Sequence, residues 1–211
     1  QLVRALEDDV LAHNLLRARA VYRFFPAVSE GDELVLLGAN GSDAARFSFT
    51  RQARGERRCL ADLVPQRASG MTDFVALLVV TCQGRSRPLR EQVAALKQQG
   101  ELFRSHALGA LTIETAEAAA EWLHCKLRTA WGIGDPPGLT KSDLFSARYR
   151  GRRYSFGYAA CPNLEDQTKL FALLEPERHI GVALTDGFMM DPEASWSALV
   201  FHHPQASYFS V

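Results

Sequence analysis

The length and composition of the chain favour a single domain. It has 211 residues, of which 47% are hydrophobic, and this is enough for one sizeable core. Lysine plus arginine total 24, as do aspartate plus glutamate, so no net charge favours nucleic acid or a membrane surface. The longest apolar run, 74–80, is far shorter than the roughly 20 residues of a bilayer span. We predict one domain over 1–211 that binds neither nucleic acid nor membrane.

The N-terminus and the cysteines indicate the cellular setting. The first residues include acids and lack the basic and apolar regions of a secretory signal. Because the chain begins with Gln1 rather than methionine, we expect it to be a piece of a longer polypeptide. The four cysteines include no C-x-x-C pair, which favours free thiols in a reducing compartment. We therefore predict a cytoplasmic protein.

The chain opens with a predicted helix and continues as strands. Apolar residues in 2–15 recur at steps of three and four, as in an amphipathic helix. Short runs rich in β-branched and aromatic residues follow, separated by Gly, Asn and Asp, and they predict antiparallel strands over 20–28, 32–38 and 45–50. The segment 71–83 is apolar almost throughout, which predicts a central strand covered on both faces.

The second half is mainly helical before it returns to strands. Strong helix formers fill 88–131, with interruptions near Gly100 and Gly109, and predict two or three helices. The elements predicted after them are a short capped helix at 140–149, an irregular loop at 149–163, a helix at 164–174, and strands or near-strands at 180–188, 195–204 and 206–211. This order indicates an α+β fold with a twisted, mainly antiparallel sheet and helices clustered around it.

Common catalytic and nucleotide-binding motifs are absent from the sequence. It contains no G-x-G-x-x-G turn and no P-loop. A G-x-S-x-G elbow, an H-E-x-x-H helix and paired C-x-x-C ligands are also missing. His202 and His203 are adjacent at the end of a predicted strand, where neighbours point to opposite faces and cannot easily share one metal. We predict no metal site.

Four segments carry a family resemblance. Residues 152–175 read Arg, three residues, Gly-Tyr, then a Cys-Pro that opens a helix, and 181–211 contain Leu-Thr, Pro-x-Ala-Ser, aromatic-His-Pro and Ser-Tyr-Phe in that order. Residues 57–81 add a Cys-Leu-Ala-Asp segment before the central strand, and 116–132 add a long helix. Together they resemble the activation (reactivation) domain of cobalamin-dependent methionine synthase over nearly the whole chain.

This resemblance implies that the domain serves a cofactor carried elsewhere. It implies binding of S-adenosyl-L-methionine and support for reductive methylation of oxidised cob(II)alamin held by a neighbouring domain, within a methyltransferase whose full reaction the isolated domain does not complete. None of the six histidines lies in the D-x-H-x-x-G context of cobalamin-carrying domains. Zinc is expected only in other modules of the full enzyme. The implied partners are the cobalamin-binding domain of the same polypeptide and a flavodoxin-like or reductase electron donor.

The chemistry of S-adenosylmethionine matches the residue types of 152–161. An arginine fork is the best partner for its carboxylate. A glycine lets the backbone approach the ligand closely, and the amides and carbonyls after it can then contact the adenine or amino acid moiety. The candidate ligand-binding residues in this segment are Arg153, Gly157, Tyr158, Ala159, Ala160 and Cys161.

Further site residues are implied by the resemblance alone. Tyr158 would point toward the upper face of the corrin ring near the cobalt, which makes it the candidate catalytic residue. Tyr208 and Phe209 would line the ligand pocket, and Glu117 and Glu121 would supply countercharge across the cleft. No general base is predicted, because the domain contributes positioning and exclusion of water.

The chain departs from the family pattern at two places. Some members carry an acidic residue where this chain has Ala147. The family segment that supplies an aspartate near the ligand would precede Gln1. Both departures concern the affinity for the ligand.

Other interpretations remain open from the sequence. The domain could be a docking cap for the cobalamin domain and its reductase. It could also be an unrelated α+β enzyme with a Cys or His nucleophile, for which His124 beside Cys125 and Cys161 are the candidates. The arginines of 148–153 could form a solvated loop, a landing site for an acidic electron donor, or a nucleic-acid patch. Arg153 could bond loop carbonyls, the two tyrosines could be half-buried aromatics, and Glu117 and Glu121 an ordinary solvated helix face.

Overall fold

The fold is α+β, as predicted. The computed structural model describes residues 2–211. Its helices are α1 (Leu2–His13), α2 (Leu89–Gln98), α3 (Leu102–Ala130), α4 (Lys141–Phe145), α5 (Gln167–Leu174) and α6 (Pro176–Ile180). Its strands are β1 (Leu16–Glu30), β2 (Glu33–Leu37), β3 (Asp43–Ser48), β4 (Asp73–Gly84), β5 (Arg152–Tyr154), β6 (Ala183–Leu184), β7 (Met190–Asp191) and β8 (Ser195–Phe201).

A six-stranded sheet orders its strands β3-β2-β1-β4-β8-β5. The pairings β1 with β2, β2 with β3, and β5 with β8 are antiparallel. In β4, all residues in 75–82 are buried, which explains the continuous apolar run, because a strand with both faces covered needs no polar alternation. The predictions of a three-strand meander and of a central strand at 71–83 are confirmed.

The first helix is shorter than predicted. α1 ends at His13, and Asn14 adopts a left-handed φ of 52° before β1 begins at Leu16. Asparagine tolerates this conformation better than most residues. Leu15 therefore continues the apolar periodicity of the helix without belonging to it, and its amide bonds to the Val10 carbonyl at 3.0 Å.

The helical region contains two helices. The predicted break at Gly100 is confirmed, since Gly100 has a φ of +78° between α2 and α3. The predicted break at Gly109 is wrong, because Gly109 lies inside the 29-residue α3. One helical glycine costs only about 1 kcal/mol. The predicted cap of α4 is confirmed, because Thr140 and Asp143 form a capping box.

Three local predictions in the last third are wrong. The segment 149–163 is not irregular throughout, because β5 pairs with β8 within it. In 180–188, Ile180 ends α6 and the strand is limited to the two residues of β6. Residues 206–211 form no strand, and side chains bind their carbonyl oxygens instead: the Tyr154 hydroxyl donates to Ser207 and the Gln52 side-chain amide donates to Ser210.

The described chain divides into two compact units, each built from three segments. The first unit contains the described part of Gln1–Val21, with Val79–Glu121 and Pro176–Trp196; the second contains Tyr22–Leu78, Trp122–Glu175 and Ser197–Val211. Apolar contacts among α1, α2 and α3 around Leu6, Val10 and Leu108 form one core cluster of the first unit. No helix within residues 2–211, α3 included, has the length and apolar content needed to span a bilayer.

Candidate functional site

The edge strand β5 carries the candidate Arg153. Arg152, Arg153 and Tyr154 pair with Phe201, Val200 and Leu199 of β8. Adjacent side chains of a strand point to opposite faces. The side chains of Arg152 and Tyr154 therefore project from one face of β5, and that of Arg153 projects from the other. The side chains of Arg152 and Arg153 are half-buried, and Tyr154 is only 3% exposed.

Tyr154 joins β5 to the C-terminal segment that contains Tyr208 and Phe209. Its hydroxyl donates to the Ser207 carbonyl at 2.8 Å. Its ring lies 5.7 Å from the Tyr208 ring in an edge-to-face arrangement and 6.4 Å from the Phe209 ring. Burial raises the pKa of this tyrosine, so the hydroxyl stays protonated and remains a donor. The two aromatic residues predicted to line the pocket are therefore held by Tyr154, the residue that follows Arg153 in the chain.

The loop after β5 is a closed turn. The Gly157 amide donates to the Cys161 carbonyl at 2.9 Å, and the Cys161 amide donates to the Tyr158 carbonyl at 2.8 Å. Gly157 has a φ of +83°, and a Cβ added to it would lie 3.3 Å from Leu164 Cδ1. Some of the backbone amides and carbonyls that were predicted to contact a ligand are therefore hydrogen-bonded to each other within the turn. Tyr158 is 58% exposed and Ala159 is exposed, whereas Ala160 and Cys161 are buried.

A buried charged cluster lies on the helix side of this region. Arg128 of α3 makes a bidentate pair with Asp135, at 2.9 Å from Nε and 2.7 Å from Nη2. Burial lowers the pKa of the neighbouring His124 to about 2, and the positive charges of Arg128, Arg153 and Arg152 lower it further. His124 is therefore neutral at any ordinary pH. It is 0% exposed and belongs to the core.

The interpretation as an enzyme with a cysteine or histidine nucleophile gains no support. All four cysteines are free, as predicted. Burial raises the pKa of the Cys161 thiol to about 12, whereas a nucleophilic cysteine needs a lowered pKa. The two nitrogens of His124 have no hydrogen-bond partner among the described residues, so this imidazole activates no neighbour.

We expect Cys161 to react with a thiol reagent at pH 8 at least about tenfold more slowly than the half-buried Cys125, because the reactive species is the thiolate. Iodoacetamide labelling followed by peptide mass spectrometry measures both rates in one sample. Labelling in denaturant is the control, because unfolding makes the two rates similar. Faster labelling of Cys161 in the native chain would contradict its burial.

The arginines of 148–153 are tied to local groups. Arg148 pairs with Asp143 at 3.2 Å, and Arg150 Nε donates to the His202 carbonyl at 2.9 Å. Arg152 donates to the carbonyls of Tyr149 and Gly151. Arg152 thus bonds loop carbonyls, a role that the sequence had suggested for Arg153, and the role of Arg153 stays a prediction. Arg148 and Arg150 remain exposed.

The remaining predicted residues lie elsewhere. Glu117 is exposed on α3 and belongs to the first unit, as does Glu121, so their role as countercharge stays a prediction. Ala147 follows α4 with a left-handed φ of 49°. His202 Nε2 lies 2.7 Å from Asp73 Oδ1. Among residues 2–211, no group of three His, Cys, Asp or Glu side chains is arranged to hold a metal ion.

Sequence reasoning missed three residues that organise this region: Tyr149, Arg152 and Tyr154. Arg152 Cζ lies 5.3 Å from the centre of the Tyr149 ring and 5.8 Å from that of Tyr208. The signal available in the sequence was the strand alternation of "RRY", which predicts that Arg152 and Tyr154 share a face opposite to Arg153.

The fold and these contacts define a class of α+β domain in which an edge strand contacts a C-terminal aromatic segment and is followed by a closed glycine turn. The chain belongs to the family described as "Vitamin B12 dependent methionine synthase, activation domain", whose family model matches residues 3–211. The predicted resemblance and fold class are thereby confirmed.

Known proteins are similar to this chain over nearly its whole length. Methionine synthase of Mycobacterium tuberculosis (strain ATCC 25618 / H37Rv) is 39% identical over 225 residues, covering 100% of this chain and 18% of that protein. Methionine synthase of Mycobacterium leprae (strain TN) is 36% identical over 218 residues, covering 93% of this chain and 17% of that protein. This chain therefore spans less than a fifth of the length of these two relatives.

A solved structure shares the fold. A crystal structure of the MetH reactivation domain bound to AdoHcy matches with a TM-score of 0.91 and 30% sequence identity. The match covers 99% of this chain and 65% of that chain. The arrangement of elements described above is therefore that of a known reactivation domain.

Proposed function

We propose that residues 1–211 act as one activation domain that binds S-adenosyl-L-methionine and supports the reductive methylation of oxidised cobalamin held by a neighbouring domain. The observation that carries this proposal is the match to a reactivation domain bound to AdoHcy over 99% of the chain. AdoHcy differs from S-adenosylmethionine by the transferred methyl group, so a site for one has the shape needed for the other.

The residues present fit such a ligand. Arg153 offers a guanidinium for the carboxylate beside the buried cluster of His124 and Arg128. Gly157 has no Cβ and a left-handed φ of +83°, so the turn that contains Tyr158, Ala159, Ala160 and Cys161 can approach a flat base closely. Tyr208 and Phe209 offer ring faces. For Glu117 and Glu121, the role of countercharge to the ligand is proposed from the family resemblance alone.

The chain's own contribution is positioning. Cobalamin, held by its own domain and reduced by one electron, would supply the nucleophile that accepts the sulfonium methyl group. Tyr158 is 58% exposed at the tip of the turn, where it can contact the corrin face and exclude water from the methyl group. No side chain of the site is assigned a proton transfer, so the catalytic role of Tyr158 is contact with the reacting groups.

The partners follow from this role. The cobalamin-binding domain is proposed to belong to the same polypeptide, since related methionine synthases extend far beyond the matched region. An acidic flavodoxin-like or reductase donor would supply the electron, and the exposed Arg148 and Arg150 offer positive charge for docking. Zinc is assigned only to other modules. The four free cysteines support a cytoplasmic location.

Isothermal titration calorimetry of the chain with S-adenosylhomocysteine tests the proposal. We expect saturable binding of one ligand per chain. Adenosine and homocysteine, titrated separately, should bind much more weakly, because each keeps only part of the contacts. Absence of saturable binding would contradict the proposal and favour the docking cap, for which the exposure of Tyr158 is the supporting observation.

Gly157→Ala is expected to weaken S-adenosylhomocysteine binding about fivefold to tenfold. A left-handed φ costs a residue with a Cβ about 1–2 kcal/mol, and the new methyl group would press on Leu164 Cδ1. In the free variant, the turn relieves this strain by adopting another conformation. Ligand binding then has to restore the original conformation, and this reduces the binding free energy. Calorimetry on both chains measures the loss.

Gly41→Ala is the matched control for this prediction. Gly41 has a φ of +78° and no heavy atom within 4 Å of an added Cβ, so the backbone strain is the same and lies outside the site. We expect this variant to bind the ligand like the wild-type chain. If both variants lost the same affinity for the ligand, the effect of Gly157→Ala would be due to general destabilisation and not to the shape of the turn.

A further inference from the structure

Aromatic rings and guanidinium groups form a continuous stack between the core of the second unit and its C-terminal segment. Arg128 Cζ lies 3.8 Å from the centre of the Tyr149 ring. The same ring lies 5.3 Å from Arg152 Cζ, which lies 5.8 Å from the centre of the Tyr208 ring. Tyr149 therefore contacts both arginines of this stack.

The inner end of the stack is rigid. The Arg128 side chain is 1% exposed and is held by its bidentate pair with Asp135. The His124 ring meets the Tyr149 ring edge-to-face at 5.4 Å. A buried bidentate guanidinium has little freedom to move, so the face that it presents fixes the position of the Tyr149 ring.

The outer end of the stack reaches the proposed ligand site. Arg152 donates to the Tyr149 and Gly151 carbonyls, and its guanidinium lies over the ring of Tyr208, which also contacts Tyr154. Arg152 directly precedes Arg153 in β5. Any shift of Arg152 would therefore move Tyr208 and the strand that carries Arg153.

We propose that Tyr149 is a positioning residue of the S-adenosyl ligand site, which transmits the fixed position of Arg128 to Arg152 and Tyr208. This inference rests on the proposed function. We assign Tyr149 no contact with the ligand. Its ring holds Arg152 by a cation–π contact, and such contacts gain strength where water is excluded. Without the ring, Arg152 and Tyr208 have additional conformations in the free chain, and binding has to select one of them.

Replacement of the ring tests the proposal. Tyr149→Leu, which keeps apolar volume and removes the aromatic face, is expected to weaken S-adenosylhomocysteine binding about tenfold in calorimetry, the size of a partly buried cation–π contact. Tyr149→Phe keeps the ring and should bind within about twofold of the wild-type chain. Tyr22→Leu is the matched control, since Tyr22 is 50% exposed on β1 and its ring contacts Phe24.

A second readout needs no ligand. The chain has five tyrosines, so fluorotyrosine labelling gives five 19F resonances, and Tyr208→Phe identifies that of Tyr208. We expect the Tyr208 resonance to shift in Tyr149→Leu and in Arg152→Gln, and to stay in place in Tyr22→Leu. Thermal unfolding of each variant verifies that it is folded at the measuring temperature.

The outcomes separate this inference from the proposed function. A wild-type chain that does not bind S-adenosylhomocysteine would overturn the proposed function, and the role of Tyr149 in ligand binding with it. A wild-type chain that binds, combined with unchanged affinity and an unmoved Tyr208 resonance in Tyr149→Leu, would overturn the inference alone. Equal losses in Tyr149→Phe and Tyr149→Leu would also overturn it, since the ring would then not be the active feature.

Discussion

Replacing Asp135 by alanine should lower the free energy of unfolding by about 3–5 kcal/mol, the usual cost of removing one partner of a buried ion pair. Arg128 is 0% exposed, and two of its nitrogens donate to this carboxylate. Without the carboxylate, a guanidinium that is already removed from water loses its closest countercharge. Urea denaturation followed by circular dichroism measures the change.

Two variants serve as controls for this prediction. Asp135→Asn keeps the volume and one acceptor oxygen but removes the charge, so its loss should be smaller than that of alanine. Glu56→Ala removes the 71% exposed partner of Arg58 and should cost less than about 1 kcal/mol, as for other surface pairs. A loss in Asp135→Ala no larger than that in Glu56→Ala would contradict the structural role of the pair.

The same pair predicts the pH dependence of stability. The hydrogen bond from Arg128 holds the pKa of Asp135 below its ordinary value of 3.8. A lowered pKa in the folded state means that the stabilisation is present above the unfolded pKa and is lost as the pH falls through the folded pKa. The difference in stability between the wild-type chain and Asp135→Asn should therefore be constant near neutral pH and shrink below about pH 4.

The parts of the fold that sequence predicts are those set by local pattern. β4 was predictable because both of its faces are buried, and α4 because Thr140 and Asp143 form its cap within one turn. The end of α1 was not, since the helical periodicity continues through Leu15 while Asn14 turns left-handed. A left-handed residue that is not glycine leaves no mark in the hydrophobic pattern.

Non-local contacts account for the errors near the site. β5 is three residues long and exists because β8, more than forty residues later, pairs with it. The C-terminal segment resembles a strand in composition, but Tyr154 and Gln52 satisfy its carbonyls from distant positions in the chain. The roles of Arg153, Tyr158, Tyr208 and Phe209 came from resemblance, because no local rule marks a residue as ligand-binding.

The largest expected effect on ligand affinity concerns Arg153, which is adjacent to Arg152 but projects from the other face of β5. Arg152 is occupied by the Tyr149 and Gly151 carbonyls and by two aromatic rings. The Arg153 side chain projects from the opposite face of β5. Burial and then the charges of Arg128, Arg153 and Arg152 lower the pKa of His124. We therefore expect Arg153 to bind the carboxylate of the ligand and Arg152 to act through position.

Arg153→Ala should weaken S-adenosylhomocysteine binding roughly ten- to hundredfold, because charge-assisted hydrogen bonds contribute about 1.4–3 kcal/mol. Arg153→Lys keeps the charge and loses the planar fork, so its affinity should be intermediate. Arg54→Ala, at an exposed position, is the matched control and should bind like the wild-type chain in the same calorimetric titration. The loss should also shrink for decarboxylated S-adenosylmethionine, which has no carboxylate for Arg153 to hold. Equal losses for the two ligands would assign Arg153 to the support of the loop rather than to the carboxylate.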